Sequence, residues 1–148
     1  MYKYLFLFVF FFNISYGQTT INSVLNESWE ISKIDLLQIL KTKNYEEKKV
    51  MGYSGYLVSD TLNFIPVNIG YFFNSNGIQT MRGISNSNKS EEASKKLFNL
   101  LFSSLNELLG NTISDNEMLG SRMIQWENKK HKIILFYNSD TCMLSIIR

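Results

Sequence analysis

The sequence predicts an α+β fold: tandem α-β-β-β units, with helices packed on one face of an antiparallel sheet. Three observations carry that expectation. Segments starting at Ser32 and Ser90 combine a helix-capping serine with apolar residues at 3-4 spacing. Each is followed by short apolar runs with Gly- and Asn-containing breaks, the pattern of antiparallel strands and hairpins. The same element order recurs at a spacing of roughly 58 residues, Ser32 against Ser90, with little residue identity between the halves.

Composition bounds the rest. A chain of 148 residues with 45% hydrophobic side chains suffices for one compact domain and excludes a disordered tail. One Cys rules out an intramolecular disulfide framework and a Cys-rich zinc site, and one His excludes every His-pair metal motif. A formal charge of +2 gives no reason to expect a nucleic-acid partner. Neither a phosphate-binding Gly loop nor G-x-S-x-G occurs, so no cofactor is expected. The chain holds 16 Asn, with abundant Lys, Ile, Phe and Tyr. These residues have AT-rich codons, and the sequence reads as bacterial. The N-x-S sequons at Asn13, Asn26 and Asn88 are then chance matches.

Residues 1–17 have the order of a secretory signal peptide: Lys3, nine apolar or aromatic residues from Tyr4 to Phe12, then Ser15 and Gly17 at positions −3 and −1 of a cut before Gln18. Nine residues are too few to span a membrane, which takes about 20. No later run is long enough either. The expectation is an exported protein, periplasmic or extracellular, with a single domain over 18–148.

Along that domain, Gln18–Glu27 reads as a polar lead-in. Ser32 caps the first helix, and Asp35 sits where a carboxylate favours the helix N-terminus. Ile34, Leu36, Leu37, Ile39 and Leu40 give it a broad apolar face. Lys48–Asp60 reads as one strand interrupted by Gly52 and Gly55, and Thr61–Pro66 as a connection. Val67–Phe73 and Ile78–Ile84 flank Asn74-Ser75-Asn76-Gly77, a hairpin signal. Ser90 caps the second helix, with Glu91 and Glu92 in its first turn. Leu97, Leu101, Leu105 and Leu108 mark its buried stripe, and Gly110 ends it. Asn111–Gly120 reads as a loop. Three strands follow: Arg122–Glu127, His131–Tyr137 and Cys142–Ile147. The middle one is apolar on both parities, so it should be central and partly covered on both faces. The possible half-repeats are 28–84 and 88–148.

The run Ser28-Trp29-Glu30-Ile31-Ser32-Lys33-Ile34-Asp35-Leu36 resembles the W-G-M-S-x-x-E-V opening of small secreted bacterial proteins. Leu105–Gly110, followed by the Trp126–Leu135 stretch, resembles their second half. The implied fold is similar to that of beta-lactamase inhibitory protein and small outer-membrane assembly lipoproteins. Glu30 stands where that pattern has Gly, and no Pro follows Gly110. The resemblance carries over no functional residue, because those families bind proteins through surfaces that vary freely.

Few constellations suggest chemistry. With a turn at Asn138–Thr141, Tyr137 faces Cys142, and His131 lies about 20 Å further along the strand. Nucleophile and base must approach to about 3 Å, so a Cys/His dyad is excluded. A turn at Asn128-Lys129 would place Trp126 opposite His131. Glu46-Glu47 and Glu91-Glu92 are adjacent and diverge, unlike catalytic carboxylate pairs. Asp115 and Glu117 lack a third acid at calcium-loop spacing. Tyr53, Tyr56 and Tyr71 make the first half unusually aromatic: they are either sheet core or a candidate partner-binding face. The sequence therefore points to a non-enzymatic module that binds another protein, of inhibitor, immunity or envelope-accessory type. The alternative is an apolar-ligand carrier with a pocket between the second helix and the sheet.

Overall fold

In the computed structural model, which describes residues 19–148 apart from position 51, the alternating runs join into one eight-stranded antiparallel sheet of order β1-β2-β3-β4-β8-β7-β6-β5. The strands are β1 (Tyr45–Val50), β2 (Tyr53–Leu62), β3 (Ile65–Phe73), β4 (Gln79–Asn86), β5 (Ser114–Met118), β6 (Ser121–Glu127), β7 (Lys132–Tyr137) and β8 (Cys142–Ile147). Helices α1 (Ile21–Asn26) and α2 (Lys33–Leu40) precede β1, and α3 (Glu91–Leu109) links β4 to β5. The expected signal segment, residues 1–17, lies outside the described residues.

Each half thus contributes four strands where three were expected. The run read as one strand over Lys48–Asp60 folds back at Gly52, whose φ of 84° suits a tight turn. Thr61–Pro66 is a tight hairpin turning at Asn63 and Phe64. The Asn111–Gly120 loop contains β5, which turns into β6 at Leu119-Gly120. The lead-in holds a short helix, α1. Its N-terminus is a capping box in which the Thr20 side chain accepts from the Ser23 N–H and the Ser23 side chain accepts from the Thr20 N–H.

Asparagines close several joints. The Oδ1 of Asn128 accepts the N–H of Lys130 and of His131, and that of Asn138 accepts those of Asp140 and Thr141. Each mimics a backbone turn. The halves meet where β4 pairs with β8, from Met81↔Ile147 to Ser85↔Met143. Buried Asn86 fastens that seam: its Oδ1 accepts the Cys142 N–H, and its Nδ2 donates to the Asn88 and Asp140 carbonyls.

Two clusters of buried side chains join the helices to the sheet. Leu97, Leu101 and Leu105 of α3 are fully buried in a cluster with Ile84, Ile124, Trp126, Ile133, Leu135, Leu144 and Ile146. Ile21 and Val24 of α1 belong to the same cluster. Leu36 and Leu40 of α2 pack with Tyr56, Val58 and Phe73. Each such Leu contributes roughly 1.5–3 kcal/mol by burial. Leu108, expected in the α3 stripe, is 46% exposed, and Leu109, four residues after Leu105, packs against the core instead. Ile34 and Ile39 likewise point outward, since only the Leu36/Leu40 side of the short α2 faces the sheet. Among the described residues no helix is long and apolar enough to cross a membrane.

Candidate interaction surface

The second parity of the sheet carries the more unusual surface. Met123, Phe136 and Met143 are successive partners across β6, β7 and β8. Ile147, Met81 and Phe72 are successive partners across β8, β4 and β3. Ile134 and Leu57 occupy the row between them. None of these eight side chains belongs to either helix-covered cluster. Met123 and Met143 are 47% and 43% exposed, and the other six are half-buried. The apolar second parity of β7, read as a sign of cover, is therefore part of this open face.

Charge is missing from its centre. One row runs Ser59, Asn68, Ser85, Met143, Phe136, Met123, Asn116 across seven strands. The next runs Leu57, Gly70, Gly83, Ser145, Ile134, Gln125, Ser114. Charge stands at the ends: Lys132 and Glu127 at one end of the third row and Lys48 at its other, with Glu46 of β1 beyond Leu57 in the second. The glycines flatten the face. The Phe72 ring lies across them: a Cβ on Gly55 or Gly70 would come within 2.6 or 2.7 Å of a ring carbon.

The candidate tyrosines do not form one surface. Tyr56 is 1% exposed and faces α2, with the rings of Tyr45 and Phe73 edge-on at 5.9 and 6.1 Å. Tyr71 is its cross-strand partner and is half-buried on the same side. Burial pushes the Tyr71 hydroxyl up to about 12. Tyr53 alone shares the open-face parity, at the start of β2, and is 44% exposed.

Under the helices, Arg82 of β4 is a buried cation that the sequence reading passed over. Its Nη1 donates to the carbonyls of Val24 (3.3 Å) and Glu27 (2.9 Å), and its Nη2 to the Ser28 carbonyl and Gln79 Oε1 (3.0 Å). A Glu27 carboxylate oxygen lies 3.5 Å from Nη1. The guanidinium lies 4.5 Å from the Trp29 ring and 5.9 Å from the Tyr71 ring. Burial draws its pKa down, while Glu27 and Tyr71 act to raise it. The sequence signal is limited to parity: Arg82 shares it with Ile84, which the structure buries.

An open cleft of about 890 Å³ lies beside this cluster, between the Glu27–Glu30 stretch and the β6–β7 turn. Lys129, Lys130, His131 and Arg148 line it together with Glu27, Trp29 and Glu30. A second cleft, of about 540 Å³, separates α1 and α2. At the α3–sheet interface, where the alternative reading places an apolar-ligand pocket, Leu97, Leu101 and Leu105 are fully buried.

Cys142 begins β8 opposite Tyr137, and burial pushes its thiol up to about 12. His131 lies beyond the other end of β7. Trp126 pairs with Ile133, two residues off the expected His131, because the turn spans Asn128–His131. His131 instead stacks on Trp29, with centroids 4.9 Å apart. Asp115 of β5 is held below the usual carboxylate range by its hydrogen bond from Arg122. Among the described residues, no three His, Cys, Asp or Glu side chains are placed to hold a metal ion. No protein-family model, curated protein or solved structure matches the chain.

Proposed function

We propose that this chain is an exported, non-enzymatic binding module that docks another protein on the open face of its sheet. The observation that supports the reading is the row of Met123, Phe136 and Met143 beside Ile134, with no charge in two rows from β2 to β5. Contiguous exposed apolar patches mark interaction sites in soluble proteins. Methionines suit a surface that must adapt to a partner, because their side chains are unbranched and polarisable. A neutral face disfavours nucleic acid and anionic lipid, and fits a partner whose own surface is apolar and uncharged. The sheet edges are poorer candidates. β1 carries Glu46, Glu47, Lys48 and Lys49, and β5 carries Asp115 and Glu117, charges that discourage strand addition.

The finer architecture belongs to the same proposal. We read 28–84 and 88–148 as tandem helix-plus-sheet repeats joined at β4 and β8, with the helices on one face and the other left for the partner. The likeness to beta-lactamase inhibitory protein and small outer-membrane assembly lipoproteins fits that arrangement. The N-terminal sequence, Lys3 with Tyr4–Phe12, supports export.

A photo-crosslinking amino acid placed at Met143, at Phe136 or at Lys95 on the outer side of α3 tests the reading in the native cells. Crosslinks to one defined protein from the first two positions, absent from Lys95, are expected. Adduct patterns identical at all three positions, or none from Met143 and Phe136, would overturn it.

A further inference from the structure

We propose that the Ile21–Glu30 segment is a latch that opens in acid: neutral His131, stacked on Trp29, keeps it closed over the sheet, and protonation of His131 releases it. The closed state is built around one residue. Arg82 takes the carbonyls at the C-terminal end of α1, from Val24, Glu27 and Ser28. A cation there also suits the negative end of the helix. Trp29, 9% exposed, contacts both this guanidinium and the His131 ring, whose plane is only 24° from its own. The His131 backbone is held in turn, because Asn128 binds its N–H through Oδ1 and donates its own N–H to the His131 carbonyl.

The charges around His131 make its protonation costly in the closed state. From its own turn come Lys129 and Lys130, with Lys132 next along β7. Arg82 approaches from β4, and Arg148 from the residue after β8. The facing segment offers Glu27, which is already engaged with Arg82, and Glu30. A neutral imidazole stacks on the indole without electrostatic penalty. An imidazolium is attracted by the indole ring, but it meets the repulsion of Lys130, Arg82 and Arg148 in a site that burial already makes costly for charge. Burial and these same cations hold His131 below the ordinary histidine range. The sign follows from linkage. The released segment binds the proton more readily than the closed one, so closure weakens as pH falls below about 6.5, the ordinary histidine value. Solvent in the open cleft gives the proton its route.

The segment is suited to local opening. A six-residue helix has no stability of its own and depends on docking. Release would uncover the side chains that Ile21, Val24 and Trp29 now bury.

Hydrogen exchange on the intact protein, read by peptide at pH 7.5 and 5.5 and corrected for the intrinsic pH dependence of amide exchange, tests the latch. Protection over residues 19–31 should fall several-fold at pH 5.5 while protection over 91–109 holds. His131→Gln, and His131→Phe as a second uncharged stacking variant, should remove that difference. His131→Lys should open the segment already at pH 7.5. Equal protection at the two pH values, loss spread evenly over both peptides, or a pH effect that survives in both uncharged variants would overturn the proposal.

Discussion

Replacing Arg82 with Met keeps an unbranched side chain of similar reach and removes only the guanidinium. Two effects oppose each other. Arg82 is fully buried, and burial already draws its pKa down, so taking it out of the interior relieves a desolvation cost. Against this, four acceptors lose their donor: the carbonyls of Val24, Glu27 and Ser28, and Gln79 Oε1. Buried ion networks are replaced cheaply by apolar residues only when every partner is replaced too. Here three partners are backbone carbonyls, which no substitution removes. Each stranded acceptor costs about 1–3 kcal/mol, and partial lifting of α1 lets water reach some of them. The second effect wins, with a net loss of about 3–5 kcal/mol, the scale for breaking a buried charged network. Urea unfolding of wild type and Arg82→Met, compared at equal slope, measures it. Arg82→Lys should recover little, because one ammonium cannot span four acceptors that a planar fork reaches. A loss below about 1 kcal/mol for Arg82→Met would refute the claim that Arg82 organises this side of the sheet.

The other expectations concern the core and the open face. Leu101→Ala should cost about 2–5 kcal/mol in denaturant unfolding, while Leu108→Ala stays within about 0.5 kcal/mol, and equal losses would misplace the α3 stripe. The Cys142 thiol should resist alkylation at pH 8 in the native protein and react fully in urea. Cys142→Ala should cost roughly 1–2 kcal/mol without changing crosslinking at Met143, and rapid native alkylation would contradict its burial. Gly70→Ala should push the Phe72 ring off the sheet at about 1–3 kcal/mol. Adding Phe72→Ala should then cost less than its effect alone, and strict additivity in that cycle would show that the ring and the glycine do not touch.

What the sequence disclosed follows from which signals are local. Ser32 and Ser90 are found as caps, their hydroxyls 3.1 and 3.2 Å from the N–H three residues on, and Gly110 ends α3 at a φ of 77°. Both are short-range features. α1 escaped notice because six residues hold less than two helical turns, too few for an apolar stripe to repeat, and because its stability lies in Arg82, far along the chain. β5 escaped because S-D-N-E-M is polar on both sides: an edge strand is defined by its partner β6, not by its own pattern. Gly52 reads in the sequence as an interruption within one strand, since a one-strand and a two-strand reading of the same alternation differ only in a dihedral angle. The tyrosines show the remaining gap. Alternation tells that Tyr56 and Val58 share a face and that Tyr53 does not. It does not tell which face receives the helices, so a core tyrosine and an exposed one look alike.

The contrast between the sheet's edges and its open face bears on function. Solvent-facing strand positions accept charge at no cost to packing, and the edge strands use that freedom at Glu46, Lys48 and Glu117. Met143, at 43% exposure, and Met123, at 47%, could be Lys or Glu with the core of Leu97, Leu101 and Leu105 untouched. Folding therefore does not require the open face to be apolar. The same reasoning applies to Gly70 and Gly83, which are paired across β3 and β4. Glycine weakens a strand interior, yet here two of them level the floor on which Phe72 lies. A face that gives up charge and strand propensity together agrees with the docking role proposed for it, and under that proposal its neutrality asks for a partner with an apolar surface of its own.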